Sequence, residues 1–261
     1  MSRKRRKTPR LSSKRLPLPR HIGSILETLL GLGTLFAMGY GFYLFAVHSD
    51  FCLIKTITVE GFDVLEPEQI VAQSSVTDAD NMLFVDPEAI RERVKALPYV
   101  KTCKVTRVFP NRLLIAIDER QAVATLQVHN RLYEIDGEGV VLRKLSPYDG
   151  CPAPFITNVP DVDLVSEGQL LDQRPLKDAL AVWAAFRKTD MAGDVRVAEI
   201  AAFHENDIRM YCKDLAFEIR WGRGDFESEA ARLDTLWRRK NKQLDFRKYV
   251  DLRFGNDLAC R

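Results

Sequence analysis

The feature that most constrains this chain is a run of twenty residues without a charged side chain, from Thr28 to Val47. At a rise of about 1.5 Å per residue, a helix of this length spans roughly 30 Å, which is the thickness of a bilayer's hydrocarbon core. Just upstream, Ser24 and Glu27 stand three residues apart, the spacing of a capping box. The sequence therefore predicts a membrane-spanning helix over residues 24–47 that begins at this box.

Two other interpretations of this run fit less well. The apolar stretch of a cleaved signal peptide is usually only about 7–15 residues long, and no small-x-small cleavage site follows the run near His48. A core helix of a soluble protein would normally show a polar stripe along one side. Both comparisons favour a membrane span.

Charge is distributed unevenly along the chain, and this predicts the orientation of the span. Residues 1–23 carry nine basic side chains and no acidic one, so they cannot bury a core and are predicted to form a cytoplasmic tail. The remaining residues carry 30 Lys and Arg against 36 Asp and Glu, which argues against a basic nucleic-acid-binding domain. Everything from about His48 onward is expected to be exported. The nine basic residues are Arg3, Lys4, Arg5, Arg6, Lys7, Arg10, Lys14, Arg15 and Arg20.

The first exported segment, residues 52–119, has a readable order of elements. A β-rich run at Ile54–Val59 ends at a glycine, and Pro67 and Pro87 each stand at the start of a helical pattern. Two further strands are predicted at Val100–Val108 and Arg112–Glu119, joined by a tight turn that contains a proline. The expected order is β-α-α-β-β.

The second exported segment, residues 120–261, is predicted to be a sheet-rich domain with helices, which makes the protein α+β as a whole. Phe217, Ile219 and Trp221 alternate with charged residues, the pattern of a sheet with one wet face. Helices are expected at about 175–187 and 226–240. Strands are expected at about 122–128, 132–135, 140–142, 195–203, 208–212, 216–221 and 249–254.

These features together resemble a known family. The β-α-α-β-β order is similar to that of a POTRA domain, and Leu97-Pro98-Tyr99-Val100 with Val105-Thr106-Arg107-Val108-Phe109-Pro110 looks like the version found in the FtsQ/DivIB family of bacterial cell-division proteins. The late strand Val250-Asp251-Leu252-Arg253-Phe254 resembles the end of that family's second domain, an antiparallel sheet backed by helices. The resemblance covers nearly the whole chain.

No pattern in the sequence points to catalysis, a metal or a cofactor. The four histidines have no ligand partner at metal-binding spacing, and Gly222-Arg223-Gly224 lacks the further glycine and the lysine of a phosphate loop. Carboxylate pairs such as Glu134 with Asp136 could in principle serve a hydrolase that acts on cell-wall glycan, but exposed strand charges are the simpler interpretation. The five cysteines form no C-x-x-C pair, Cys103 reads as a buried apolar residue, and a structural disulfide stays an open possibility.

The resemblance implies a function without chemistry. It implies a non-enzymatic scaffold of the inner membrane, without a cofactor, concentrated at the division septum. It also implies that the exported part binds the coiled-coil membrane proteins FtsB/DivIC and FtsL and other divisome proteins, linking early cytoplasmic division proteins to septal cell-wall synthesis. The main alternative is a POTRA-bearing component of a protein transport or secretion system.

The partner-binding surface is expected at the last strand, because a strand that arrives last often lies at a sheet edge, where a partner strand can pair with it. On this strand Arg253 is expected to bind a partner carboxylate and Phe254 to act as an apolar anchor, while core packing of Phe254 remains open. Within the membrane, Gly33, Ala37 and Gly41 form a small-residue face that could pack against another helix. The residues assigned to partner binding are Tyr249, Val250, Leu252, Arg253 and Phe254.

Overall fold

The computed structural model describes residues 20–48, 51–146, 149–222, 224–244, 246–254 and 259–260. Most of the predicted cytoplasmic tail, residues 1–19, lies outside this range. The described chain forms one long helix, then a small sheet with two helices, then a large sheet with three helices. This confirms the predicted α+β class.

The first element is helix α1, Arg20–His48. Its stretch Glu27–Phe45 is long and apolar enough to cross a membrane, and the described side chains of that stretch are exposed. The helix already begins by Arg20, so Ser24 lies inside it and the predicted capping box is wrong. Thr34 donates its hydroxyl to the carbonyls of Leu30 and Gly31, at 3.1 and 2.9 Å, so this polar side chain is satisfied within its own helix.

The small sheet has the predicted β-α-α-β-β order. Strand β2 runs antiparallel to β3, and β1 runs parallel to β3 from the other side. The first strand begins two residues later than predicted, because the backbone N–H groups of Ile54 and Lys55 donate to Asp80 and Asn111 outside the strand ladder. The elements are β1 Thr56–Glu60, α2 Pro67–Ser74, α3 Pro87–Lys95, β2 Val100–Val108 and β3 Arg112–Glu119.

The core of this unit follows from two simple periodicities. Ile90 and Val94, four residues apart on α3, are fully buried, and Leu113 and Ile115 alternate with more exposed residues on β3. Helix α3 begins at Pro87, and the carboxylate of Asp86 accepts a hydrogen bond from the Glu88 N–H at 3.0 Å. The prolines and the apolar spacing were sufficient to predict this unit.

The large sheet has nine strands in the order β12-β11-β10-β9-β8-β7-β4-β5-β6. Its strands are β4 Ala122–Val128, β5 Arg131–Asp136, β6 Val141–Lys144, β7 Phe155–Thr157, β8 Val197–His204, β9 Asp207–Cys212, β10 Glu218–Trp221, β11 Tyr249–Asp251 and β12 Ala259–Cys260. Its helices are α4 Arg174–Phe186, α5 Met191–Asp194 and α6 Phe226–Arg239.

The sheet is mixed, whereas a wholly antiparallel one was expected. Strand β7 is parallel to both of its neighbours, and β11 is parallel to β10. Parallel neighbours need a long crossover, and the chain supplies one through α4 between β7 and β8 and another through α6 between β10 and β11. These helices and the covered face of the sheet share one apolar core that includes Phe186, Trp221 and Leu233.

A polar network joins the two units. The Tyr99 hydroxyl donates to Glu134 at 2.5 Å, and Arg143 holds the same carboxylate through two hydrogen bonds of 2.9 and 3.0 Å. Arg120 bridges Asp136 and Glu138 at 2.6 and 2.8 Å. Burial, followed by the bond to Glu134, raises the pKa of Tyr99. The buried hydroxyl of Tyr99 and the buried carboxylates of Glu134 and Asp136 each have a partner, so the polar groups in this contact are satisfied.

Candidate partner-binding surface

The predicted position of the last strand needs a correction. Strand β11 lies between two neighbours: Val250 pairs with Ile219 of β10 on one side and with Cys260 of β12 on the other. The edge of the sheet is therefore the two-residue strand β12, and the prediction that Tyr249–Phe254 forms the edge is wrong. The sequence carries little signal for β12, because two residues are too few to show an alternation.

The opposite edge of the sheet is strand β6, and a loop packs along it. On the far side of β6, Val141 donates its N–H to Gln169 and accepts the N–H of Gly168, at 2.9 and 2.8 Å. A loop thus satisfies the backbone of that edge strand. At the β11 end, the described chain adds only β12, which pairs with Val250 and Asp251. Among the described residues, no further strand pairs with the outer side of β12, so this end of the sheet leaves a strand edge that a partner strand could pair with.

The side chains of the last strand divide into core and surface. Val250 and Leu252 are fully buried in the apolar core, so their side chains stabilise the fold and are not available to a partner. Tyr249 is half-buried, and the guanidinium of Arg220 lies over its ring at 4.1 Å from the centroid. Val250 and Leu252 are therefore core residues, whereas Tyr249, Arg253 and Phe254 are at least partly exposed at the surface.

Arg253 already has a carboxylate partner inside the chain. Its Nε and Nη2 atoms donate to the two oxygens of Asp251 at 2.8 and 2.6 Å, a bidentate pair. Asp251 is only 2% exposed; burial opposes its ionisation, but the hydrogen bonds from Arg253 outweigh burial and lower its pKa. The binding of a partner carboxylate by Arg253 stays a prediction, and such a carboxylate would have to share the guanidinium with Asp251.

Phe254 is the exposed apolar residue of this group. Its side chain is 58% exposed, and it lies two residues after the buried Leu252. The strand ends at Asp251, so the alternation that would have turned Phe254 into the core does not reach it. An exposed phenylalanine beside a short edge strand has the geometry of an anchor.

A repeated motif on the outer face of the sheet escaped the sequence analysis. An acidic residue and an arginine two positions later form an ion pair at each of three neighbouring strands, although Arg253 lies two residues past the end of β11. The pairs are Asp207 with Arg209, Glu218 with Arg220, and Asp251 with Arg253. The register places Arg209, Arg220 and Asp251 side by side across β9, β10 and β11. The signal was present, since an acid-x-Arg triplet lies within two predicted strands and a third begins one residue before another. We call these three pairs the acid-Arg ladder.

The turn before α6 packs closely against Arg253 of this surface. Gly222 lies so close to Arg253 that a Cβ atom at position 222 would be 3.2 Å from its Cγ. The Gly222 N–H donates to the buried carboxylate of Glu229 at 3.1 Å, and burial raises the pKa of that carboxyl group. Gly222 therefore has a packing role, and Arg223 lies outside the described residues.

Two family models match this chain. The model described as "POTRA domain, FtsQ-type" matches residues 53–120, and the model described as "Cell division protein FtsQ/DivIB, C-terminal" matches residues 124–253. The chain belongs to the FtsQ/DivIB family. The match to the second model favours a cell-division role over the alternative of a transport or secretion component.

Individual FtsQ proteins align over most of the chain. A protein named "Cell division protein FtsQ" from Syntrophotalea carbinolica is 27% identical over 256 residues, which cover 95% of this chain and 89% of the relative. Another of the same name from Geotalea daltonii is 24% identical and covers 85% of this chain and 80% of the relative. A third, from Anaeromyxobacter sp., is 27% identical over 88% of this chain and 77% of the relative.

Membership of the FtsQ/DivIB family gives the protein a role in the divisome, with other divisome proteins as its partners. The family is one of non-enzymatic scaffolds, and the FtsQ relatives together with the apolar α1 indicate a single-pass membrane protein. Within the part of the chain that the structure describes, no group of three or more His, Cys, Asp or Glu residues could hold a metal ion. The carboxylates once considered for a hydrolase, Glu134 and Asp136, are held by Arg143 and Arg120.

Two further predictions concern the cysteines and the membrane helix of this FtsQ/DivIB protein. Cys52, Cys103, Cys151 and Cys212 are free, Cys103 is buried as predicted, and the side chain of Cys260 lies outside the described part. Gly33, Ala37 and Gly41 are exposed on α1, and a Cβ added at either glycine would meet nothing within 4 Å. This face has room for another helix, and the packing contact remains a prediction.

Proposed function

We propose that this protein is a membrane-anchored scaffold that binds FtsB/DivIC-like and FtsL-like proteins through the β11–β12 end of its large sheet. In this way it links the early cytoplasmic division proteins to septal cell-wall synthesis, and it concentrates at the division septum. The observation that carries the proposal is the exposed Phe254, three residues past the end of β11, together with the two-residue edge strand β12 that pairs with β11. An extended partner segment can pair with such an edge while its side chains contact the exposed ring.

The charges of this surface are paired with one another. The acid-Arg ladder is internally neutralised, so a partner strand does not meet an uncompensated charge on the outer face. Phe203 is also exposed here, and the guanidinium of Arg209 lies 5.1 Å from its ring centroid. The surface therefore combines aromatic rings with arginine side chains, two residue types that are enriched at protein interfaces.

The partner assignment is tested by co-isolation. We expect the full-length chain, extracted from the membranes of its native bacterium in mild detergent, to bring FtsB/DivIC-like and FtsL-like proteins with it. A strand-pairing interface of the usual size should survive extraction. Recovery of the scaffold without either protein, when all three are present in the same membranes, would contradict the assignment.

The proposed orientation places the N-terminus in the cytoplasm and both folded units in the periplasm. It is supported by the nine basic residues before α1, because basic side chains flanking a span are retained on the cytoplasmic side. A single anchor also confines the scaffold to the membrane plane and raises its effective concentration toward partners held there.

A reporter fusion tests this orientation. Alkaline phosphatase joined to the C-terminus should be active, because that enzyme matures only after export, and a cytoplasmic reporter at the same place should be inactive. As a matched control, changing the nine N-terminal basic residues to Ser should reduce phosphatase activity, since the charge difference sets the orientation. An active cytoplasmic reporter on the unaltered chain would invert the proposed topology.

A further inference from the structure

We propose that one end of the small sheet docks onto the outer leaflet of the membrane through exposed aromatic side chains. The inference depends on α1 spanning the membrane, but not on the identity of any protein partner. It concerns the surface formed by Phe51, Leu83, Phe84, Val108 and Phe109, which we call the membrane-end surface.

Three segments of the chain meet at this end of the domain. The Cys52 carbonyl accepts the N–H of Met82 at 2.8 Å, which joins the segment after α1 to the loop before α3. The Asn111 carbonyl accepts the N–H of Lys55 at 2.9 Å, which brings in the turn between β2 and β3. A hydrogen bond from Arg107 to the Val85 carbonyl closes the arrangement. The three loops are therefore fixed against one another.

The same end of the domain lies next to the end of α1. The Asn81 side-chain amide donates to the carbonyl of Val47 in the last turn of the helix, at 3.5 Å. Phe51 follows His48 by three residues, so the chain can separate the two by no more than about 10 Å. The headgroup region on one side of a bilayer is about 5–7 Å deep. The membrane-end surface thus begins at the level of the headgroups.

The side chains of this surface are unusually apolar for an exposed position. Phe51, Phe84 and Phe109 are each between 58% and 60% exposed, and they come from three different loops. Clustered apolar groups on a soluble surface mark a contact with a partner or a membrane. Aromatic rings prefer the interface between water and lipid, which is where the short link to α1 places them.

The charges at this end indicate insertion and not electrostatic adsorption. Lys55, Arg107 and Arg112 are basic, but Asp80 and Asp86 lie on the adjoining loops, together with the exposed Asp78. The carboxylate of Asp80 accepts the Thr77 N–H at 2.7 Å, and that of Asp86 caps α3, so both have roles within the domain. With mixed charges, the apolar rings supply most of the binding energy.

Fluorescence quenching in a membrane tests the proposal. The full-length chain is reconstituted into vesicles of phosphatidylcholine and phosphatidylglycerol with brominated acyl chains, as wild type and with Phe84→Trp or Phe109→Trp. Phe62→Trp is the matched control: Phe62 is also exposed, but it lies at the opposite end of β1, near Val64, whose N–H donates to Glu119 at the end of β3. The native Trp183, Trp221 and Trp237 belong to the large-sheet unit and give the wild-type baseline.

We expect bromine quenching of the added tryptophan at positions 84 and 109 to be about twofold greater than at position 62, because a ring 5–10 Å into the headgroup boundary meets the acyl chains. Equal quenching at all three positions would overturn the proposal, as would quenching that appears only at high protein density, which would indicate a second copy as the occupant. If carbonate washing removed the chain from the vesicles, the span itself would be refuted along with the docking. Retention of the chain without added quenching at 84 and 109 would refute the docking alone.

Discussion

Replacing Arg253 with Glu should lower the free energy of unfolding of the large-sheet unit by about 2–3 kcal/mol. The partner of Arg253 is Asp251, which is 2% exposed and would be left as an unpaired buried carboxylate facing a second negative charge. The arginine itself is about one-third exposed, so the expected loss is set below that for a fully buried pair. Denaturant unfolding of the full-length chain in detergent, followed by the fluorescence of Trp221 and Trp237, measures the change.

Arg209 provides a matched control within the acid-Arg ladder. It forms the same type of pair with Asp207, but there the carboxylate side chain is 30% exposed and water can solvate it. Arg209→Glu should therefore cost about 1 kcal/mol or less. If both substitutions had the same small effect, the Arg253–Asp251 pair would be an ordinary surface ion pair, and Arg253 would again be available to a partner.

Phe254→Ala should weaken binding of the FtsB/DivIC-like partner by about 2 kcal/mol, roughly thirtyfold in Kd, and leave the melting temperature nearly unchanged. The ring is exposed in the free protein, so its removal creates no cavity, but it takes an apolar anchor from the proposed interface. Titration of the full-length protein with the partner's periplasmic segment, together with thermal unfolding of the same sample, measures both quantities.

Leu252, two residues earlier, is the control for this prediction. It is fully buried, and Leu252→Ala should cost about 2–5 kcal/mol of stability through the cavity that it leaves. The pair of variants separates folding from binding. A large fall in melting temperature for Phe254→Ala, or unchanged partner affinity, would remove Phe254 from the binding site.

The elements that could be predicted from the sequence are those with strong local signals. Strands β2 and β3 have the predicted bounds, because alternating apolar residues are interrupted by a proline-containing turn. The uncharged run predicted the long helix α1. The alternation of Ile219 and Trp221 with charged residues predicted that β10 has one buried face and one solvent-facing side. In each case the residues within one short window determine the structure.

The errors concern pairings between distant parts of the chain. The neighbours of β11 depend on Cys260 on one side and Ile219 on the other, and no local pattern reveals either contact. Strand β7 has only three residues, too few for an alternation, and both of its parallel pairings were missed. The two-residue spacing of Asp251 and Arg253 is visible in the sequence. The burial of Asp251, which makes the pair important, depends on the packing of the whole sheet.

The most direct test of the central claim is depletion of this protein in its native bacterium, with cell length and septum formation followed over several generations. Cells that lose a scaffold linking early division proteins to septal wall synthesis continue to grow but cannot complete a septum. We therefore predict filaments or otherwise undivided cells. The wild-type gene supplied in trans should restore division. Depleted cells that continue to divide at normal length would contradict the account.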